Sequence, residues 1–139
     1  MLTVITGPPC GGKSTYASAH AMPGDIVIDF DLIAQALGSP VTHGHEKHIA
    51  EVAAAAWSTA ITRALEDVKS RQVWIVDTSP TAYRLRRYYE ARARTVICTA
   101  DRDELHRRAE GTRPPSWHQR IDQHLDSSRE PAPLPRTAW

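Results

Sequence analysis

A chain of 139 residues, 41% hydrophobic and 24% charged, has the length of one domain with a single buried core. No apolar run approaches the ~20 residues of a membrane span, and the N-terminus reads as a strand rather than a signal peptide. Two cysteines, Cys10 and Cys98, are too few for a disulfide framework, so a reducing cytoplasm is the expected setting, with Cys98 packed as a small apolar residue. The net charge of +1 conceals a tilt. Residues 1–83 carry 5 basic and 8 acidic side chains, and residues 84–139 carry 12 and 8. The basic part suits phosphates, or is an ordinary solvated helical surface.

The apolar run Leu2–Thr6 reads as a first strand. Residues 7–14 follow as Gly-Pro-Pro-Cys-Gly-Gly-Lys-Ser, a full match to the phosphate-binding pattern G-x-x-x-x-G-K-[ST], and a helical stretch over 13–21 comes next. Glycines at these positions let successive backbone N–H groups turn inward on phosphate oxygens, and the helix start adds its positive end. The pattern predicts a nucleoside triphosphate held by Gly7, Pro8, Pro9, Cys10, Gly11, Gly12, Lys13, Ser14 and Thr15. Lys13, taken as an exposed loop lysine, reaches the β- and γ-phosphates, and the Ser14 hydroxyl holds Mg²⁺.

Ile26–Asp29 reads as a second strand and residues 31–37 as a short helix stopped by Gly38. Asp29-Phe30-Asp31 between them is a second signal. A carboxylate there would face the γ-phosphate and accept the proton of an attacking hydroxyl. Asp31 is the first choice for this base and Asp29 the alternative, unless Asp31 only caps its helix. The stretch HGHEKH (His43, His45, His48) reads as a polar loop facing an acceptor, with a metal site as the lesser alternative.

The clearest helix follows, with Ile49, Val52, Ala53, Ala56, Trp57, Ala60, Ile61, Ala64, Leu65 and Val68 at three- and four-residue spacing. A third strand, Val73–Asp77, resembles one that ends in a magnesium-ordering carboxylate, Asp77. Thr78 follows instead of the water-activating glutamate of many motor ATPases, and no Asn-Lys-x-Asp guanine motif occurs. Over 81–92, Arg84, Arg86 and Arg87 interleave with Tyr83, Tyr88 and Tyr89, either a grip for a phosphodiester backbone or an ordinary surface.

A fourth strand, Thr95–Thr99, precedes helices over 102–110 and 117–127. Arg102, Arg107, Arg108 and Arg113 surround a Gly/Pro break (residues 111–115), the composition of a mobile lid whose guanidinium groups spread transition-state charge. Arg108 and Arg113 are the candidates. The segment from Glu130 to Trp139, with Pro131, Pro133 and Pro135, reads as an extended tail whose Trp139 either folds back or lies exposed.

Alternation of strand and helix predicts an α/β fold, a parallel sheet of four to five strands covered on both faces, in one domain over 1–128 with a tail over 129–139. Ligands of such sheets sit at the carboxyl ends of the strands, where all these residues fall.

The order of parts resembles the 5′-kinase domain of phage-type polynucleotide kinases, within the P-loop NTPase group that includes adenylate, shikimate and gluconate kinases. The resemblance covers roughly residues 2–125. It rests on TGPPCGGKSTYA, an Asp shortly after strand two, VDTSPTAYRLRRYYEARA, and DRDELHRR. It implies an adenylate-kinase-like fold with an arginine lid, ATP and Mg²⁺ at Lys13 and Ser14, a general base at Asp31, and a lid arginine at Arg108 or Arg113. The family's Asp-Thr pair that arranges the acceptor falls on Asp77 and Thr78, and the residues themselves add Asp29, Arg84 and Arg87 as acceptor-binding candidates. One turn beyond the base, where the family has an arginine for the acceptor's phosphate, this chain has Ala34. The expected activity is transfer of the γ-phosphoryl group of ATP to a hydroxyl, first the 5′-hydroxyl of DNA or RNA. A small molecule, nucleoside or nucleotide is the second acceptor class, and a nucleotide-binding regulator or ATPase subunit is the alternative of another kind. No membrane partner is expected, and an oligomer is compatible with the sequence.

Overall fold

The computed structural model describes residues 1–67 and 70–128. Val68 and the tail beyond residue 128 lie outside the described residues. The chain alternates β1 (Leu2–Thr6), α1 (Lys13–His20), β2 (Ile26–Ile28), α2 (Phe30–Ala36), α3 (Lys47–Asp67), β3 (Val73–Val76), α4 (Ala82–Glu90), β4 (Arg94–Ile97), α5 (Arg102–Ala109) and α6 (Ser116–Ser127). The four strands form one parallel sheet in the order β2-β3-β1-β4.

Side chains alternate across a strand, so each strand feeds two cores. On one face, Val4, Val73 and Ile75 pack with Ile61 and Ala64 of α3 and Tyr88 of α4. On the other, Ile5, Trp74 and Val76 pack with Ala17 of α1. β3 is buried along its whole length. Its Ile75 and its neighbour Ile5 on β1 are fully buried, each contributing about 1.5–3 kcal/mol of apolar burial. A third cluster, Leu105, Ala109 and Ile121, joins α5 to α6 and reaches Cys10. β4 is one edge of the sheet, with Ile97 open to solvent. Among the described residues no helix is long and apolar enough to cross a membrane.

Caps set the helix starts. Thr81 and Asp101 cap α4 and α5 by accepting from Arg84 N and Glu104 N. α2 begins one residue earlier than the sequence pattern places it, because Asp29 takes the capping position and accepts from Asp31 N at 2.9 Å. The capping role weighed for Asp31 therefore belongs to Asp29, and the Asp31 side chain is free for other partners.

Candidate functional site

The carboxyl ends of β1, β2 and β3 open into one cleft. Its floor is the Gly7–Ser14 loop, and α5, α6 and the turn between them supply the opposite wall. Two glycines of the loop are dictated by a neighbour. A Cβ on Gly7 or Gly11 would sit 2.0 Å or 2.4 Å from the carbonyl oxygen of Cys98, just past β4. Cys10 adopts a left-handed φ of 63°, and its carbonyl accepts from Arg108 Nη1 at 3.1 Å. Gly7 and Pro8 form the buried base of the loop. Pro9 to Thr15 line the cleft.

Lys13 is not the exposed loop residue its position suggests. It is 8% exposed, and its ammonium donates to the carbonyls of Gly7 at 3.0 Å and Pro8 at 2.7 Å. Burial lowers its pKa to about 8, a direct result of disfavouring the charged form.

The Ser14 hydroxyl donates to Asp29 Oδ2 at 2.5 Å, while Asp29 Oδ1 holds the start of α2. Asp29 thus lines the cleft with its carboxylate held at Ser14 and at the start of α2. Asp77 is equally buried, but its carboxylate is already engaged. It accepts from Arg84 Nε at 2.7 Å and from the Tyr88 hydroxyl at 2.8 Å. The acidic partner of Ser14 is Asp29, and the metal role read for Asp77 meets a carboxylate neutralised by arginine. Burial, aided by the nearby Asp77 charge, pushes the Tyr88 phenol well above its ordinary value. Thr78 lines the cleft, and its carbonyl accepts from Thr6 Oγ1. Arg84 also lines the cleft, lying over the Trp57 ring at 5.1 Å. Arg87 does not join it. Its guanidinium, one helical turn beyond Arg84 on the same side of α4, faces Tyr83 and Glu66 of α3.

Asp31 sits between two histidines. His43 Nδ1 lies 2.8 Å from its Oδ2 and His45 Nε2 lies 2.8 Å from its Oδ1. His45 is almost fully buried, and its other nitrogen meets the Ser39 hydroxyl at 2.7 Å. Burial raises the Asp31 pKa, but the hydrogen bonds from His43 and His45 outweigh it, leaving the carboxyl below its usual value. The HGHEKH segment converges on a carboxylate through its first two histidines. His48 instead pairs with Glu46 at the surface. Among the described residues, no group of His, Cys, Asp or Glu side chains is arranged to hold a metal ion by itself.

The far wall carries two arginines without ion pairs among the described residues. Arg113 and Arg120 lie over the Trp117 ring at 5.1 Å and 5.5 Å. The Arg113 Nε is buried and has no hydrogen-bond partner there. Trp117 also meets the His43 ring edge-on at 5.9 Å. Sequence reasoning missed Trp57, Trp117 and Arg120, whose spacing carries no motif. A tryptophan with an arginine four residues before it and another three residues after it was the available signal. Arg102 is held by Asp122 and Asp126, and His106 also reaches Asp122, which ties α5 to α6 and fixes the wall in place.

No known protein family matches the sequence, and no curated protein matches it.

Proposed function

We propose that this chain is a P-loop kinase that moves the γ-phosphoryl group of ATP to a hydroxyl, with Mg²⁺ as the required cation. The observation that carries the reading is the convergence on one cleft of a complete phosphate-loop motif, a carboxylate centre at Asp31, and the arginines Arg108 and Arg113. The loop around Lys13 suits the β- and γ-phosphates, for which the ammonium would exchange its two carbonyl partners. Ser14 and Asp29 offer adjacent hard oxygen donors, the type of set that holds Mg²⁺ together with phosphate oxygens, where the ion would neutralise phosphate charge. Arg108 stands at the donor end and Arg113 at the acceptor end, both suited to charge developing during transfer.

The favoured acceptor is the 5′-hydroxyl of DNA or RNA. Arg113 and Arg120, without ion pairs among the described residues, provide beside the Trp117 ring a positive, stackable surface of the kind that binds a single strand. One observation favours the second reading, a nucleoside, nucleotide or other small acceptor. Ala34, at the position of the family's phosphate-holding arginine, is fully buried in the core and cannot be replaced functionally from that spot.

The test is incubation with γ-labelled ATP and 5′-hydroxyl oligonucleotides beside a panel of nucleosides and nucleotides. Label on the oligonucleotide end is expected, and affinity for that acceptor should fall as salt rises. Label on the small molecules alone would select the second reading. Label found only as free phosphate would overturn the kinase and favour an ATPase or regulatory role.

A further inference from the structure

The two histidines that flank Asp31 are not equivalent. His45 has both ring nitrogens engaged, Nε2 by Asp31 and Nδ1 by Ser39, and its side chain is 2% exposed. It has no lone pair left to offer a substrate and acts as a strut. His43 uses only Nδ1, on Asp31 Oδ2. Its Nε2 has no hydrogen-bond partner among the described residues, and the ring lines the cleft with Trp117 against its edge. An ionised carboxylate only accepts hydrogen bonds, so the neutral ring carries its proton on Nδ1 and its lone pair on Nε2. Asp31 therefore fixes both the orientation and the tautomer of an imidazole whose basic nitrogen is open to the cleft.

We propose that His43 is the catalytic base of the transfer, taking the proton of the acceptor hydroxyl at Nε2, while Asp31 is the positioning residue behind it. This assignment rests on the phosphotransfer reading. As the acceptor oxygen forms its bond to the γ-phosphorus, its proton passes to Nε2. The bond between that phosphorus and the β,γ-bridging oxygen breaks, and its electron pair leaves with ADP. The imidazolium so formed is stabilised by the Asp31 carboxylate and returns its proton to solvent. An imidazole whose Nε2 lone pair opens on the cleft suits this task better than a carboxylate already accepting two ring N–H bonds.

Substitution separates the two roles because asparagine places an amide N–H close to where histidine places Nδ1. His43→Asn can still donate to Asp31 but has nothing in place of Nε2. With ATP and whichever acceptor the unaltered chain labels, His43→Asn and His43→Ala are both expected to lose turnover by about 10²–10⁴-fold. The KM for ATP should be nearly unchanged in both. Added imidazole should restore part of the turnover of His43→Ala, a rescue that a merely structural histidine would not give. Turnover of His43→Asn within about threefold of the unaltered chain would overturn the assignment and return the base to Asp31. Failure of imidazole to raise the turnover of His43→Ala would overturn it as well. If the unaltered chain labels no hydroxyl at all, the phosphotransfer reading itself has failed, an outcome distinct from either of these.

Discussion

The guanidinium of Arg108 hydrogen-bonds the carbonyl oxygen of Cys10 at 3.1 Å, joining α5 to the floor of the cleft across 98 residues of chain. The same side chain is held from behind by Glu104 at 2.7 Å. It is thus aimed at the loop by two partners before any ligand arrives, whereas Arg113 rests on Trp117 with no carboxylate partner among the described residues.

This difference separates the two arginines kinetically. Arg108→Ala is expected to lower turnover by about 10²–10³-fold, the usual effect of removing one donor aimed at developing charge. Arg113→Ala should instead raise the KM for an anionic acceptor and leave turnover closer to that of the unaltered chain. Steady-state kinetics varying each substrate would check this. The assignment fails if the two variants exchange these signatures.

Lys13 carries a pH-dependent cost. Its folded pKa of about 8 lies below the ordinary 10.5, so the folded chain binds fewer protons than the unfolded chain between these values. Its contribution favours folding above the unfolded pKa and is lost as pH falls through 8. At pH ~7 the buried ammonium opposes folding, and Lys13→Met should stabilise the ligand-free chain by about 1–3 kcal/mol. The gain should shrink as pH rises toward 10.5, while nucleotide binding is lost. Urea unfolding at neutral and alkaline pH measures it. A variant less stable than the parent at neutral pH would contradict the prediction.

Ala34 offers a test of what the core permits. It is 0% exposed, so Ala34→Arg would place a long cation where no space or partner exists, a burden of more than about 3 kcal/mol. The expected result is unfolding or a large fall in Tm, with no gain in acceptor affinity. A soluble, equally stable Ala34→Arg with improved binding of 5′-hydroxyl strands would show that α2 rearranges.

The Asp77 carboxylate depends on Arg84 and Tyr88 together. Tyr88→Phe removes one hydrogen bond from a buried acceptor, at a cost of about 1–3 kcal/mol. Arg84→Ala removes the counter-charge and should cost about 2–4 kcal/mol, less than a fully buried pair because Arg84 is partly exposed. Because burial raises the Tyr88 pKa, its contribution is complete below the ordinary phenol value near 10 and is lost as pH climbs beyond it. Thermal melts of the parent should therefore steepen their decline above about pH 10, and those of Tyr88→Phe should do so less. Identical alkaline profiles would remove the phenol from this account.

Local pattern carried the architecture. The runs LTVIT and VWIV are strands where their composition places them, and the apolar spacing of α3 buries Ala53, Ile61 and Ala64, although Val52 of the same series faces solvent. The Gly7–Ser14 loop was legible because its chemistry is written in consecutive residues. Partnerships across the chain were not. Asp29 and Asp31 are two residues apart and look interchangeable, yet one caps α2 and meets Ser14 while the other meets His43 and His45. Likewise Asp77 reads as a cation ligand until α4 folds Arg84 and Tyr88 onto it. Position along α4 decided the arginines: Arg84 reaches Asp77 and the Trp57 ring, while Arg87, one turn later, meets Glu66.

The closeness of Cys98 to Gly7 and Gly11 means that the loop's curvature is moulded by the backbone just past β4, more than eighty residues away. An excised peptide or a fragment ending before β4 would retain every letter of the motif and lose the wall that shapes it. Such a truncation should bind phosphate no better than a flexible glycine-rich peptide. The edge strand β4, although it contributes little to either core, leads into the carbonyl that shapes the loop, and disturbing its register would reshape the loop without altering a residue inside it.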